Sequence, residues 1–298
     1  MIQDLWNRDF EMSVGGQTIA IQRANPLTGE ITPALRVTFG IEKSDNRDPN
    51  RATVEIYNLS GTNRKTLQAG SDLAQTMRGA GQVYDWPLVV KAGYVGSKAQ
   101  IFSGDIVYAD SRLNGTEWVT TIEAEDGGNA FRSARLSKSY GKGTTVAQVL
   151  TDLAAALGVG LGNSAAKFAA GSERGYLSFV NGVAVNGKVS KLLDKYVTSA
   201  GYRWSIQDGQ LQVLGPDETL LDSIAVISSL TGLVGSPERG EKGIVKLRSL
   251  LQPTIQPGRR CQVVSRMVSG QYKALAVKHF GDTFGQDWYT EFEGRPLT

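Results

Sequence analysis

Short runs of alternating apolar and polar side chains constrain the fold more than any other feature of this sequence. Every second residue from Leu35 to Ile41 is apolar, and the runs 52–56 and 118–124 repeat this pattern. A period of two places one apolar face of a strand on a core and turns the polar face outward. Glycine is frequent, with 35 residues, and it bounds many of the runs. Short strands separated by such turns predict a mainly β chain built as antiparallel barrels or sandwiches.

Helical spacing first appears near residue 140. The apolar residues of 146–157 fall on one face of a helix, with Thr144 or Thr145 as its N-cap and Gly158 as its end. A second helical pattern occupies 189–197. These two segments predict a helix-containing region within the β chain.

A hairpin follows the second helix. The dipeptide Asp208-Gly209 separates two apolar runs, and this pair tolerates the positive φ angles of a tight turn. Alternation then returns beyond residue 216. We therefore predict two antiparallel β-barrel domains flanking a small α+β domain, with boundaries at 1–135, 136–215 and 216–298.

The segment from Gln68 to Tyr84 has no clear period. Ser60 is a suitable cap for a short helix through Leu67. Beyond it Gly70 and two further glycines interrupt the pattern, which predicts a long loop. Loops of this length are usually functional or disordered, so we expect it to become ordered only on assembly.

The two β regions end alike. Gly104-Asp105 is followed by a strand that begins near Trp118, and Gly281-Asp282 by one that begins at Trp288. This similarity predicts an internal repeat of one barrel type, with the two tryptophans at equivalent strand positions.

Composition excludes several classes of protein. The net charge is +3, from 32 basic and 29 acidic residues, which is too weak to indicate a nucleic-acid-binding surface. The single cysteine, Cys261, cannot form an internal disulfide. We expect neither a signal peptide nor membrane insertion, because no apolar segment has the required length.

Catalytic and cofactor motifs are weak. His279 is the only histidine and lies in an alternating strand, so we expect a structural role. Glu123 and Glu125 share a strand face, where a solvated surface is favoured over a cation site. The segment 141–145 departs from a phosphate-binding loop, because Leu136 stands where glycine is required. We predict no enzymatic activity, no metal and no cofactor.

The aromatic residues favour cores rather than a carbohydrate-binding platform. They lie in strand-like segments, and we expect them to fill or close the barrels. They are Trp118, Trp204, Tyr272, Trp288 and Tyr289.

Several motifs resemble those of bacteriophage tail and baseplate hub proteins, which are related to the N-terminal part of type VI secretion spike proteins. The resemblance covers residues 33–293, and the middle region matches mainly in layout. The residues that carry it are Pro49, Asn50, Tyr57, Asn58, Leu59, Gly93, Tyr94, Gly104, Asp105, Trp118, Pro253, Pro257, Gly258, Gly281, Asp282, Trp288 and Tyr289.

This resemblance implies a homotrimer with two tube-like barrels per chain. Its ring would join the hexameric tail tube or a distal tail protein to a central spike, fibre or tip protein. The tape-measure protein and DNA would pass through the lumen of this ring. The protein would be located in the virion tail after assembly in the host cytoplasm. Two alternatives are a peptidoglycan- or carbohydrate-binding module and a tail-associated cell-wall hydrolase.

Overall fold

The computed structural model describes residues 7–22, 35–80, 86–172, 175 and 177–297. Its strands are β1 (Arg8–Val14), β2 (Gln17–Gln22), β3 (Val37–Ser44), β4 (Arg51–Tyr57), β5 (Pro87–Tyr94), β6 (Ala99–Asn114), β7 (Glu117–Glu125), β8 (Arg135–Tyr140), β9 (Val183–Lys188), β10 (Arg203–Gln207), β11 (Gln210–Leu214), β12 (Leu220–Ser228), β13 (Leu233–Arg239), β14 (Val245–Leu250), β15 (Arg259–Val264), β16 (Ser269–Asp282) and β17 (Trp288–Pro296). Its helices are α1 (Gly61–Gly79), α2 (Gly128–Ser133), α3 (Val146–Leu157), α4 (Ser164–Lys167) and α5 (Val189–Ser199). The predicted mainly β class is confirmed.

One sheet of 13 strands unites the beginning and the end of the chain. Its order is β13-β14-β17-β16-β3-β4-β7-β6-β5-β1-β2, and β15 and β12 branch from β16. The two predicted closed barrels are not found among the described residues, because β16 pairs with β3 and carries one β region into the other. Closure needs the end strands of a sheet to pair, whereas β13, β2 and β12 each pair with one neighbour only.

Buried apolar side chains form three clusters. The first lies under the N-terminal strands and includes Phe10, Phe102 and Trp288. The second joins α3 and α5 to the β10–β11 hairpin. The third lies between the C-terminal strands around Cys261 and Phe292. Trp288 comes from the last strand but packs in the first cluster, which binds the two ends of the chain together.

Helix α1 replaces much of the predicted loop at Gln68–Tyr84. Ser60 does cap its start, since its hydroxyl accepts from the Asn63 backbone N–H. The helix then continues to Gly79, because Leu67, Ser71 and Ala74 form a narrow buried stripe at helical spacing. The prediction of a loop was wrong for 68–79, where small and polar buried residues conceal the period. Residues 81–84 of that segment lie outside the described residues.

The middle region follows the sequence signals closely. Helix α3 has Thr145 as N-cap with a capping box to Gln148, and Gly158 ends it with a φ of 69°. Asp208 and Gly209 have φ angles of 53° and 75° at the predicted β10–β11 turn. These helix and hairpin predictions are confirmed, while the boundaries at 135 and 215 stay predictions.

Candidate functional site

The two long hairpins of the sheet share one irregularity. In β6–β7 the pairing skips Val107, and in β16–β17 it skips Leu275. Counting six residues onward from each skipped residue reaches Leu113 and Gly281, which pair with Trp118 and Trp288 respectively. The two tryptophans therefore occupy the same register position relative to a β-bulge.

The Gly-Asp dipeptides do not share this equivalence. Gly104 and Asp105 lie before the bulge of β6, whereas Gly281 and Asp282 lie after the bulge of β16. The sequence alignment that paired them was therefore wrong in register. It compared similar dipeptides that lie at different register positions of the two hairpins.

Side-chain hydrogen bonds repeat at matched positions. Ser111 and Thr120 join their hydroxyl oxygens at 2.9 Å across β6–β7. At the equivalent positions of β16–β17, His279 Nδ1 and Thr290 Oγ1 are also 2.9 Å apart. The repeat therefore extends from the register to the polar contacts between strands.

Backbone hydrogen bonds at the ends of β4 and β14 repeat as well. The N–H of Asn58 donates to the Trp118 carbonyl at 2.7 Å, and the N–H of Leu251 donates to the Trp288 carbonyl at 3.0 Å. The preceding residues also match, with Tyr57 N–H donating to Arg36 at 2.9 Å and Leu250 N–H to Gly232 at 2.7 Å. These bonds align β4 with β14 residue by residue.

Strand order extends this match to the whole sheet. One half runs β3-β4-β7-β6-β5-β1, and the other runs β13-β14-β17-β16-β15-β12. Neighbours in both series are antiparallel, except that β12 is parallel to β15 whereas β1 is antiparallel to β5. The sheet therefore contains two copies of a five-strand arrangement, each with a sixth strand added in its own direction.

The two equivalent tryptophans have different surroundings. Trp288 is 1% exposed, and its ring meets Phe39 edge-on at 5.4 Å. Gly281 opposite it leaves room for the indole, whereas Leu113 stands opposite Trp118. Trp118 is 38% exposed and lies under the guanidinium of Arg64, 3.7 Å away. The expectation that Trp118 fills a core was therefore wrong.

Asp282 organises the turn between β16 and β17. Its carboxylate pairs with Arg36 at 2.8 Å. Arg8 donates to the carbonyls of Asp282 and Gly285 and lies 5.3 Å from the centre of the Trp288 ring. Burial alone would raise the pKa of Asp282, but the hydrogen bond from Arg36 lowers it below the usual value. This hydrogen-bonded cluster holds the hairpin end in a fixed position.

A buried polar network attaches the β10–β11 turn to the sheet. The side chain of Lys43 is fully buried and pairs with Asp208 at 2.8 Å. Asp126 accepts from the Gly209 backbone N–H at 2.9 Å, and burial raises its pKa to about 6. Sequence reasoning identified Asp208 only as a turn residue and missed the burial of Lys43, because an isolated charge in an alternating strand gives no local signal of burial.

Asn50 and the Pro257-Gly258 turn complete this attachment. The buried Asn50 amide donates to the Ile206 carbonyl at 2.9 Å. Gln212 donates to the Pro257 carbonyl at 3.3 Å, and Gly258 has a φ of +80° with the Gln212 amide where a Cβ would stand. These predicted residues thus support the junction between the small region and the sheet.

Other predicted residues determine local geometry. A Cβ on Gly93 would lie 2.8 Å from the Ser97 carbonyl oxygen at a φ of +154°, and one on Gly104 would lie 2.8 Å from the Glu125 backbone. Tyr94 is buried, which raises its pKa to about 12. Asn58 has a φ of 56°, and Leu59 and Pro253 are buried. Tyr57 stacks on Arg36, whereas Pro49, Asp105 and Tyr289 are half-buried in the sheet and its turns.

The two side chains considered for catalysis, His279 and Cys261, are both buried. His279 is fully buried, and burial lowers its pKa to about 3, while burial raises the pKa of Cys261 to about 12. Glu125 pairs with Arg132 at 2.8 Å rather than facing Glu123 across a cation site. Across the described chain, no three His, Cys, Asp or Glu side chains cluster suitably for a metal ion, and no helix is long and apolar enough to cross a membrane.

An exposed face around the β16–β3 junction carries many charged side chains. It borders a concave cavity of about 1010 Å³ near the β16–β3 junction. Acidic and basic residues alternate across it in ion pairs, which link Lys278 to Glu42 at 2.8 Å, Arg248 to Glu291 at 2.6 Å and Lys246 to Glu293 at 3.4 Å. The face is therefore polar without a strong charge of either sign.

Solved structures with the same fold are phage tail and secretion proteins. The 43 kDa tail protein of prophage MuSo2 from Shewanella oneidensis has a TM-score of 0.61 at 8% identity, with 97% of each chain covered. A tail protein from Neisseria meningitidis MC58 has a TM-score of 0.60 at 10% identity, covering 97% of this chain and 96% of its own. At these identities the likeness establishes the fold alone.

A third structure is the E. coli c3393 protein, described as a type VI secretion component structurally similar to the T4 bacteriophage tail proteins gp27 and gp5. Its TM-score is 0.56 at 11% identity, covering 96% of this chain and 77% of its own. No curated protein sequence matches the chain. These three structures therefore share the fold of this chain.

The profile of the family described as baseplate hub gp41 matches residues 18–278. The chain belongs to this family, and the resemblance inferred from its sequence motifs is confirmed. A structural role in a phage tail follows from this membership.

Proposed function

We propose that the protein is a non-enzymatic hub subunit that forms a homotrimeric ring at the end of the tail. The repeated sheet is the observation that carries this proposal. A ring of six identical tube subunits presents six equivalent surfaces, and three chains match six surfaces when each supplies two similar modules. The two halves aligned at Trp118 and Trp288 supply such modules.

The ring would adapt a hexameric tail tube or distal tail protein to a trimeric spike, fibre or tip protein. The charged face near Glu42, Lys278 and Glu291 suits the wall of a lumen, because alternating charges keep it hydrated without holding a polyanion. DNA and the tape-measure protein would pass through this lumen in transit. We place the protein in the virion tail after assembly in the host cytoplasm.

Electron microscopy of purified full-length protein tests the ring directly. We expect top-view averages with three chains, six similar lobes and an open centre. A compact particle without a central opening would overturn the proposed lumen. A two-fold particle would overturn the symmetry argument.

The non-enzymatic role has its own assay. We expect no peptidoglycan clearing by the purified protein, because the family to which it belongs is described as a baseplate hub. Clearing that is lost on substitution of one carboxylate would contradict this part of the proposal.

A further inference from the structure

At the junction between the two modules, one edge of strand β16 pairs with two different strands. Strand β16 pairs with β17 along one edge, and on its other edge it pairs first with β15 and then, from Ala276 to Asp282, with β3. Strand β6 likewise pairs with β7 on one edge and with β5 on the other, through Ala99 to Asp105. Beyond that, the β6 segment 108–114 has no strand on this second edge within the described residues.

Strand β13 presents the complementary edge. The alignment of β4 with β14 places Leu233 at the position of Val37, and Arg239 at the position of Ile41. Strand β13 is therefore the counterpart of β3, and it ends the sheet with its outer edge unpaired in the described chain. The two unpaired edges correspond to the two sides of the β16–β3 junction.

We propose that the β6 segment 108–114 of one copy pairs antiparallel with β13 of a second copy. Transferring the register of the β16–β3 junction places Ser111 opposite Arg239 and Arg112 opposite Glu238. Only Glu238 and Arg239 of β13 can be placed by this transfer. Before them β13 has three residues, 235–237, at the position where β3 has the single residue Phe39. This inference rests on the proposed homotrimer and names the contact that builds it.

The side chains at these edges suit such a partner. Arg112 is exposed, as are Glu238 and Arg239. The pairing sets the Arg112 guanidinium opposite the Glu238 carboxylate, and opposite charges directly across a strand pair are favourable. Inside the chain, Lys278 and Glu42 already make such an ion pair across the equivalent junction, at 2.8 Å.

Helix α1 explains where the new pairing stops. The Ala109 N–H points to the open edge and donates to the Ser71 hydroxyl at 2.9 Å. The residue of β16 equivalent to Ala109 is Val277, which pairs with Lys43 of β3. The residue equivalent to Lys43 is Glu241, which follows β13 and lies in a 3-10 turn instead of a strand. With no strand backbone available there, Ser71 supplies the acceptor that Ala109 needs.

A disulfide between positions 112 and 238 distinguishes pairing between copies from any contact within one. The two residues stand on strands seven steps apart in the sheet order, roughly 34 Å measured along the sheet, and these two strands are not paired with each other in the described chain. The Leu275 carbonyl accepts a hydrogen bond from the Asp45 backbone N–H across the β16–β3 junction. Every second residue of β16 counted from Leu275 therefore forms backbone hydrogen bonds with β3, and the residues between them do not. Arg112–Glu238 is then a non-hydrogen-bonded pair, with Cα atoms about 4.5 Å apart and within disulfide range.

The test is mild oxidation of the full-length R112C/E238C variant, followed by non-reducing denaturing electrophoresis. We expect a covalent trimer that does not extend to longer species, because the ring is closed. The buried Cys261 does not compete for oxidation. The matched control E123C/E238C should stay monomeric, since Glu123 lies one strand further inside the sheet.

Charge substitution gives a second readout. We expect R112E to raise the concentration at which half of the chains are trimeric by about tenfold, and R112E/E238R to restore most of that loss. A trimer by mass without the 112–238 disulfide would overturn the strand pairing and leave the hub proposal intact. A protein that stays monomeric at every concentration would overturn both.

Discussion

Trp118 and Trp288 occupy the same register position in two hairpins of one sheet, and only Trp288 is buried. Trp288 closes the core where the first and last strands meet, with Phe10 and Phe39 against its ring. Trp118 faces solvent beneath Arg64. The duplicated scaffold is therefore used once to join the ends of the chain and once to form a surface.

Truncation of the two tryptophans should separate these roles. We expect W288A to lower the free energy of unfolding by about 3–5 kcal/mol, because a fully buried indole is lost from the core. We expect W118A to cost about 1 kcal/mol or less, because it lies on the surface. Chemical denaturation of both variants measures the difference, and equal losses would contradict the assignment.

Gly281 should be intolerant of any side chain. A Cβ there would lie 2.6 Å from Trp288 Cε3 and 2.7 Å from Phe39 Cζ. We expect G281A to lower the free energy of unfolding by about 1–3 kcal/mol through overpacking. Its matched control is G40A on the adjacent strand, where a Cβ meets nothing within 4 Å. If G40A proves as destabilising as G281A, the close approach of the indole is not the cause.

His279 should make the protein less stable as the pH falls. Its pKa is lowered to about 3 by burial, so the unfolded chain takes up a proton below about pH 6.5 that the folded chain refuses. The free energy of unfolding should therefore fall between pH 6.5 and 3, by up to about 1.4 kcal/mol per pH unit from this group. Denaturation of wild type and H279Q at pH 7, 6 and 5 measures it, and parallel curves would contradict it.

The Lys43–Asp208 pair should stabilise the attachment of the β10–β11 turn. D208N keeps a residue that tolerates the positive φ but removes the carboxylate that pairs with the buried Lys43 ammonium. We expect a loss of about 3 kcal/mol in the free energy of unfolding. The control E42Q breaks the exposed ion pair with Lys278 and should cost less than about 1 kcal/mol. Similar losses for both variants would exclude a special role for the buried pair.

Local signals in the sequence predicted local structure well. The caps of α3 at Thr145 and Gly158, and the turn at Asp208-Gly209, follow from backbone requirements that a few residues satisfy. Helix α1 was underestimated because its buried stripe contains a serine and an alanine, and because Gly70 interrupts it. That glycine is needed where the helix meets the indole of Trp86.

Long-range features had no comparable signal. The pairing of β16 with β3 joins residues more than 230 positions apart, such as Lys278 and Glu42, and nothing near either strand specifies the other. The burial of Lys43 is visible only once Asp208 is placed beside it. The repeat was detected through the two tryptophans, but its register depended on bulges at Val107 and Leu275 that the sequence does not mark.

The mass of the purified full-length protein in solution tests the central claim most directly. Sedimentation equilibrium over a wide concentration range should give a species of three times the 32.1 kDa chain mass. Three chains supply the six similar modules that a sixfold tube requires. A stable dimer, or a hexamer of whole chains, would contradict the account.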